Sequence, residues 1–315
     1  MRRPSPIVTA GCAVLLSFSS SGLVTARAVA SPVAERVAPK GAAITSLRSG
    51  DVLVEFIGPP GSSATATSNG SSVQASMRSI RPKSARDATA YRDSGRSVIG
   101  DLVALGMPRA EAEGQFGDLA TLEGNAAVVS RQRVSMPGRQ AGVQAASTPY
   151  DTQCASINVA DGKITGYGCS TFFLVHQDGD DWWLTTKMKI SAHSNDESWF
   201  SPKRLTQLGW RASWSAGNVL YDWDPYTTRA IGSCLTLTVK SSSPWADVSV
   251  QGTVCPDSLG PWAVTTARSG GIWNGMERGT DYEGALATQA VHSPPGAPLS
   301  YQSAWTLSYC DLWCN

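Results

Sequence analysis

Between residues 31 and 150 the 315-residue chain contains no cysteine and no tryptophan. A segment without either has little aromatic mass to pack around and nothing to cross-link it. All eleven tryptophans lie beyond residue 150, as does every cysteine except Cys12: Cys154, Cys169, Cys234, Cys255, Cys310 and Cys314.

Long apolar runs are missing too. No stretch approaches the roughly 18 consecutive apolar residues of a spanning helix, so no stable transmembrane segment is expected and membrane-surface contact is the most the chain offers. Excess charge of either sign is also absent. Residues 31–150 carry 13 Lys+Arg and 10 Asp+Glu, while 151–315 carry 10 and 15. A duplex reader needs a clustered basic face, and the cysteine-rich part is acidic, which argues against a nucleic-acid partner.

Catalytic and metal-binding signatures are likewise missing. There is no Gly-Asp-Ser-Gly, no Gly-x-Ser-x-Gly, and no histidine after Thr186 where a trypsin-like barrel would need its base. The three histidines, His176, His193 and His292, are far apart, with no His-Glu-x-x-His or paired Cys-x-x-Cys. Asp178, Asp180 and Asp181 surround Gly179, a composition that backbone geometry demands of a hairpin turn before calcium need be invoked. No cofactor and no metal are expected.

What is present begins with an export signal over residues 1–30. Arg2 and Arg3 precede a short apolar stretch, and cleavage is expected after Ala28 or Ala30. Residues 31–150 then read as a partly disordered α/coil leader: a weak subdomain, a removable pro-segment, or an arm that orders on a partner. Asp51–Ile57 can form one strand. Residues 58–76 are nearly pure small and polar, and read as a loop or linker. In the stretch from Arg96 to Glu123, Val98, Leu102 and Leu105 share a helical face.

Residues 151–315 are the legible part. Asp161-Gly162 is suited to a two-residue hairpin turn, and counting outward from it sets Cys154 opposite Cys169. In a second hairpin, Leu235, Leu237 and Val239 alternate with threonines, and Val248, Val250 and Val254 alternate with polar residues. Aligning Leu235 with Val254 brings Cys234 opposite Cys255. Cys310 and Cys314 remain to close a terminal ring. Further strands are predicted at 171–176, 182–191, 205–214, 262–268, 284–291 and 300–309. Nine or ten strands with few helix signals predict an all-β domain, a disulfide-stapled antiparallel β-sandwich.

The contact residues follow from aromatic placement. Adjacent Trp182 and Trp183 point to opposite sheet faces, so only one can enter a core. Trp245 sits at the tip of the second hairpin, and Tyr221, Asp222, Trp223 and Asp224 set two carboxylates beside aromatic rings before a proline. These five are the predicted ligand-binding residues. They point to a secreted, non-catalytic binding protein presenting aromatic loops to an extracellular protein or a cell-envelope glycan. A membrane-active, pore-forming toxin is the alternative, and an enzyme using Asp222, Asp224 and His193 is a third.

Overall fold

A computed structural model describes residues 41–46, 51–58, 63–68, 71–79, 97–119, 151–159, 162–199, 202–244, 247–255, 257–277, 282–297 and 301–310. All of them belong to one compact unit, Pro39–Asn315. Four strands come from before residue 80: β1 (Gly41–Ser46), β2 (Asp51–Gly58), β3 (Ser63–Ser68) and β4 (Ser71–Ser79). Two helices follow, α1 (Val98–Ala104) and α2 (Arg109–Phe116), the second running into a 3-10 turn at Gly117–Leu119. Then come β5 (Asp151–Val159), β6 (Ile164–Asp178), β7 (Asp181–Ser194), β8 (Arg204–Trp214), β9 (Val219–Asp224) and β10 (Arg229–Ile231). The last six are β11 (Leu235–Ser242), β12 (Asp247–Val254), β13 (Asp257–Pro261), β14 (Arg268–Asn274), β15 (Glu283–Ser293) and β16 (Tyr301–Cys310).

The strands form two seven-stranded antiparallel sheets and one separate hairpin. Sheet A has the order β1-β2-β16-β8-β14-β13-β10, sheet B the order β3-β4-β5-β6-β7-β15-β9, and β11 pairs only with β12. Most of sheet B is a meander, five strands each paired with the next in sequence. Sheet A is assembled from distant segments, with β16 between β2 and β8.

Both predicted hairpin registers are present. Cys154 opposes Cys169 in the β5–β6 pair, and the two form a disulfide with a Cα separation of 4.1 Å. Leu235 opposes Val254 in the β11–β12 pair, and Cys234 is bonded to Cys255 beside it. Gly162 and Gly179 supply positive φ values of 89° and 62° at the turns before β6 and β7, where a side chain would be strained. Cys310 is disulfide-bonded as well, and Cys314 lies outside the described residues.

Three expectations need correction. Twelve strands, not nine or ten, lie between Asp151 and Cys310; β9, β10 and β13 are too short to show much alternation. The strand expected at 262–268 is instead a connection. β13 ends at Pro261, Ala263 adopts a positive φ of 50°, and β14 starts only at Arg268. The polar stretch 58–76 is not all linker, since β3 and β4 lie largely within it and β4 pairs with β5 along Val73–Ser79. Backbone pairing with an existing sheet supplies the order that apolar alternation alone did not signal.

The facing sides of the two sheets make the main core. Trp210 opposes Trp305 within sheet A, and a Cβ on Gly168 of sheet B would come within 2.5 Å of the Trp210 ring, so that glycine makes room for the indole. The Trp210 indole N–H donates to Ser170 of sheet B. The backbones approach closely at Gly271, where a Cβ would lie 2.3 Å from the Leu286 carbonyl oxygen.

The outer side of sheet B is covered as well. Ser97 caps α1 by accepting the Gly100 N–H at 3.0 Å, and Gly106, at φ 106°, follows the end of that helix. Val98 and Leu102 of α1 are buried, as expected from their spacing, together with Ala112, Phe116 and Leu119. They join one apolar cluster with Cys154, Cys169, Tyr167 and the hairpin residues Val239, Val250 and Val254.

Candidate functional site

β9 is the edge strand of sheet B and carries four of the five predicted contact residues. Its register against β15 slips between Ala290 and Val291. Such a bulge re-aims side chains locally. Leu220 joins an interior cluster with Phe172, Trp182, Leu184, Trp214 and Val291, and Trp223 packs against it. Tyr221 remains 53% exposed.

The two carboxylates act as fasteners. Asp222 accepts the Tyr226 hydroxyl on Oδ1, and on Oδ2 the backbone N–H and hydroxyl of Ser242 at 2.5 and 3.2 Å. Asp224 accepts the Arg229 guanidinium on both oxygens, at 3.0 and 3.2 Å. It also accepts the backbone N–H groups of Tyr226 and Lys240, each at 3.2 Å. Together they tie β9 to β10 and β11. The hydrogen bond to Asp222, with burial adding, pushes the Tyr226 phenol up to about 12.

Beside this edge an aromatic group forms that the sequence did not reveal. Trp183 pairs with His176 on one neighbouring strand and His292 on the other. The His292 ring stacks on the Trp183 indole at 4.4 Å and 14°, and Tyr221 meets the same indole edge-on at 5.0 Å. Asp181 Oδ1 lies 2.5 Å from His292 Nε2. His176 is buried, and that burial pushes its imidazole below the usual range against the pull of Asp178 and Asp181. Trp182 enters the interior cluster while Trp183 stays on the outer side, as their alternation requires. The group is therefore a ledge: Tyr221, Trp183 and His292, edged by Asp181 and Asp222, with the half-exposed Tyr226 bonded to Asp222.

Other predicted residues fall elsewhere. Trp245 lies outside the described residues. His193 is at the far end of sheet B, one residue beyond the Ala192–Glu283 pair, whereas Asp222 opposes Ala290. The seven residue steps from Glu283 to Ala290 span about 24 Å of strand, so His193 does not meet Asp222 and Asp224. Its ring instead contacts Tyr282 at 4.1 Å. Tyr282 donates to Glu111 of α2 at 2.5 Å, and burial together with that bond raises its phenol. Trp199, 88% exposed after β7, is a further aromatic that periodicity did not single out.

Among the described residues no group of three or more His, Cys, Asp or Glu is arranged to hold a metal ion. No described helix is long and apolar enough to cross a membrane. No protein-family model matches this chain, and no curated protein matches it.

Proposed function

We propose that the chain is a secreted, non-catalytic binding protein, a disulfide-stapled β-sandwich whose β9-edge ledge engages a cell-envelope glycan. The observation that carries this reading is the exposed Tyr221 ring set against Trp183, itself stacked on His292. Sugars present C–H faces that stack on aromatic rings and hydroxyls that need hydrogen-bonding partners at the rim. Asp181, His292 and Asp222 supply such partners here. Because the two aspartates are already fixed by neighbouring groups, the ledge is held in place before a ligand arrives, which reduces the ordering cost of binding. The Cys154–Cys169 and Cys234–Cys255 disulfides fit an oxidising, extracellular setting.

The test is titration calorimetry of the protein, Tyr221→Ala and Trp183→Ala against soluble envelope glycan fragments. Saccharide binding that weakens at least about tenfold in both variants, with folding retained, supports the reading. Binding that both variants retain, or capture of a secreted protein through this edge with no saccharide bound, overturns it.

A further inference from the structure

A second group of ionisable side chains, which the ledge does not use, lies under the helical cover of sheet B. Lys189, on the outer side of β7, is 4% exposed, and its Nζ lies 3.7 Å from Asp118 Oδ1 in the turn that ends α2. The ammonium donates to the Gln115 carbonyl oxygen and sits 5.7 Å from the centre of the Phe116 ring. Asp118 Oδ2 accepts the Gln251 backbone N–H from β12 at 3.1 Å. Lys187, 1% exposed, donates to the Asp118 carbonyl oxygen at 3.0 Å. Gly252 leaves room for the lysine head, since a Cβ there would come within 3.1 Å of both Cε and Nζ.

We propose that Lys189 and Asp118 become joined by an intramolecular isopeptide bond linking the helical cover to sheet B. An amine and a carboxyl normally coexist in water because both are charged and water is abundant. Burial works against both conditions here: the Lys189 side chain is 5% exposed and that of Asp118 21%. Burial pushes the Asp118 carboxyl up despite both lysines, and pushes the Lys189 amine down despite Asp118. Both shifts favour the neutral pair that can react. The Nζ lone pair attacks Cγ, a C–N bond forms, and the C–OH bond breaks. The departing hydroxyl leaves with a proton from Nζ, so that one water is released and nothing is oxidised or reduced.

The surroundings match the needs of that step. The Gln251 N–H points at the oxygen on which charge develops, the role of an oxyanion donor. The Gln115 carbonyl orients the amine, and Lys187 is the neighbouring group able to lend and recover a proton. The burial of the Lys189 head that favours bond formation also limits the approach of water to the bond once it is made.

The inference stands apart from the glycan reading and is tested by peptide mapping. Trypsin digestion of the reduced, alkylated full chain should give a branched peptide of residues 110–131 joined to 188–203, one water lighter than the two together. Cleavage after Lys189 should be lost. Lys189→Arg, which keeps the charge but cannot condense in this way, should return the linear 110–131 peptide. Recovery of unmodified linear peptides from folded wild-type protein overturns the proposal, and that result does not depend on any variant folding.

Discussion

Gln289 of sheet B accepts the indole N–H of Trp214 in sheet A at 3.0 Å. Its own amide donates back to the carbonyl oxygens of Ser269 and Ala212, at 2.6 and 3.1 Å. One buried side chain thus satisfies polar groups of three residues on two strands of the facing sheet. Gln289→Leu, close in volume, should remove those bonds and leave the Trp214 N–H buried and unpaired. An unsatisfied buried group costs about 1–3 kcal/mol, and more than one is stranded here. A loss of about 3 kcal/mol is expected in urea unfolding.

Two glycine substitutions should act in opposite directions. Gly271→Ala would place a methyl 2.3 Å from the Leu286 carbonyl, where backbone must move. A loss of about 3 kcal/mol is expected, at the upper end of overpacking costs. Gly114, within α2, has nothing within 4 Å of a built Cβ. Gly114→Ala should raise stability by up to about 1 kcal/mol through helix propensity. Thermal unfolding of the two variants beside the wild type checks both signs.

High pH should loosen the β9 edge. The Tyr226 phenol is raised from 10.0 to about 12 by its bond to Asp222. A raised folded-state value means the bond's contribution is complete below the ordinary phenol range and is lost as pH climbs toward about 12. Absorbance titration of phenolate should show a late-ionising tyrosine in the wild type. Asp222→Asn should move that step earlier, and an unmoved step would contradict the assignment.

Replacing Cys234 and Cys255 by serine should destabilise the β11–β12 hairpin. The bond closes a loop with a sequence separation of 21, for which chain entropy gives about 3 kcal/mol. Because Ser242 and Lys240 hold Asp222 and Asp224, the change should also increase protease cleavage near residues 240–247. Limited proteolysis followed by mass analysis reads this directly.

Local pairings were legible because two short signals fix them. A turn at Asp161-Gly162 and strict alternation around Leu235 and Val250 each determine a register, and the cysteines fall into line. Long-range pairings carried no such signal. Nothing in Ser71–Ser79 announces that it will lie along β5, because Ser, Ala and Gln do not mark a face. The ledge was only half visible for the same reason. Tyr221 and Asp222 stand out in sequence, but the partnership of Trp183 with His292 exists only through the β7–β15 register, more than a hundred residues of chain apart. The separation of His193 from Asp222 was hidden in the same way: residue type groups them, and only the β7–β15 and β15–β9 registers set them at different positions along sheet B.

The position of β16 has a kinetic consequence. Translation delivers β2 early and β8 in mid-chain, but the strand that joins them is the last one described. Until it appears, β2 and β8 each hold an open row of backbone donors and acceptors, which any other extended chain could pair with. The sheet B meander can form from neighbouring segments meanwhile, while sheet A waits for its most distant partners. The hazard of misassembly is therefore concentrated in one interval, between completion of the meander and insertion of a single strand. A chain shortened before Tyr301 would remain in that interval permanently.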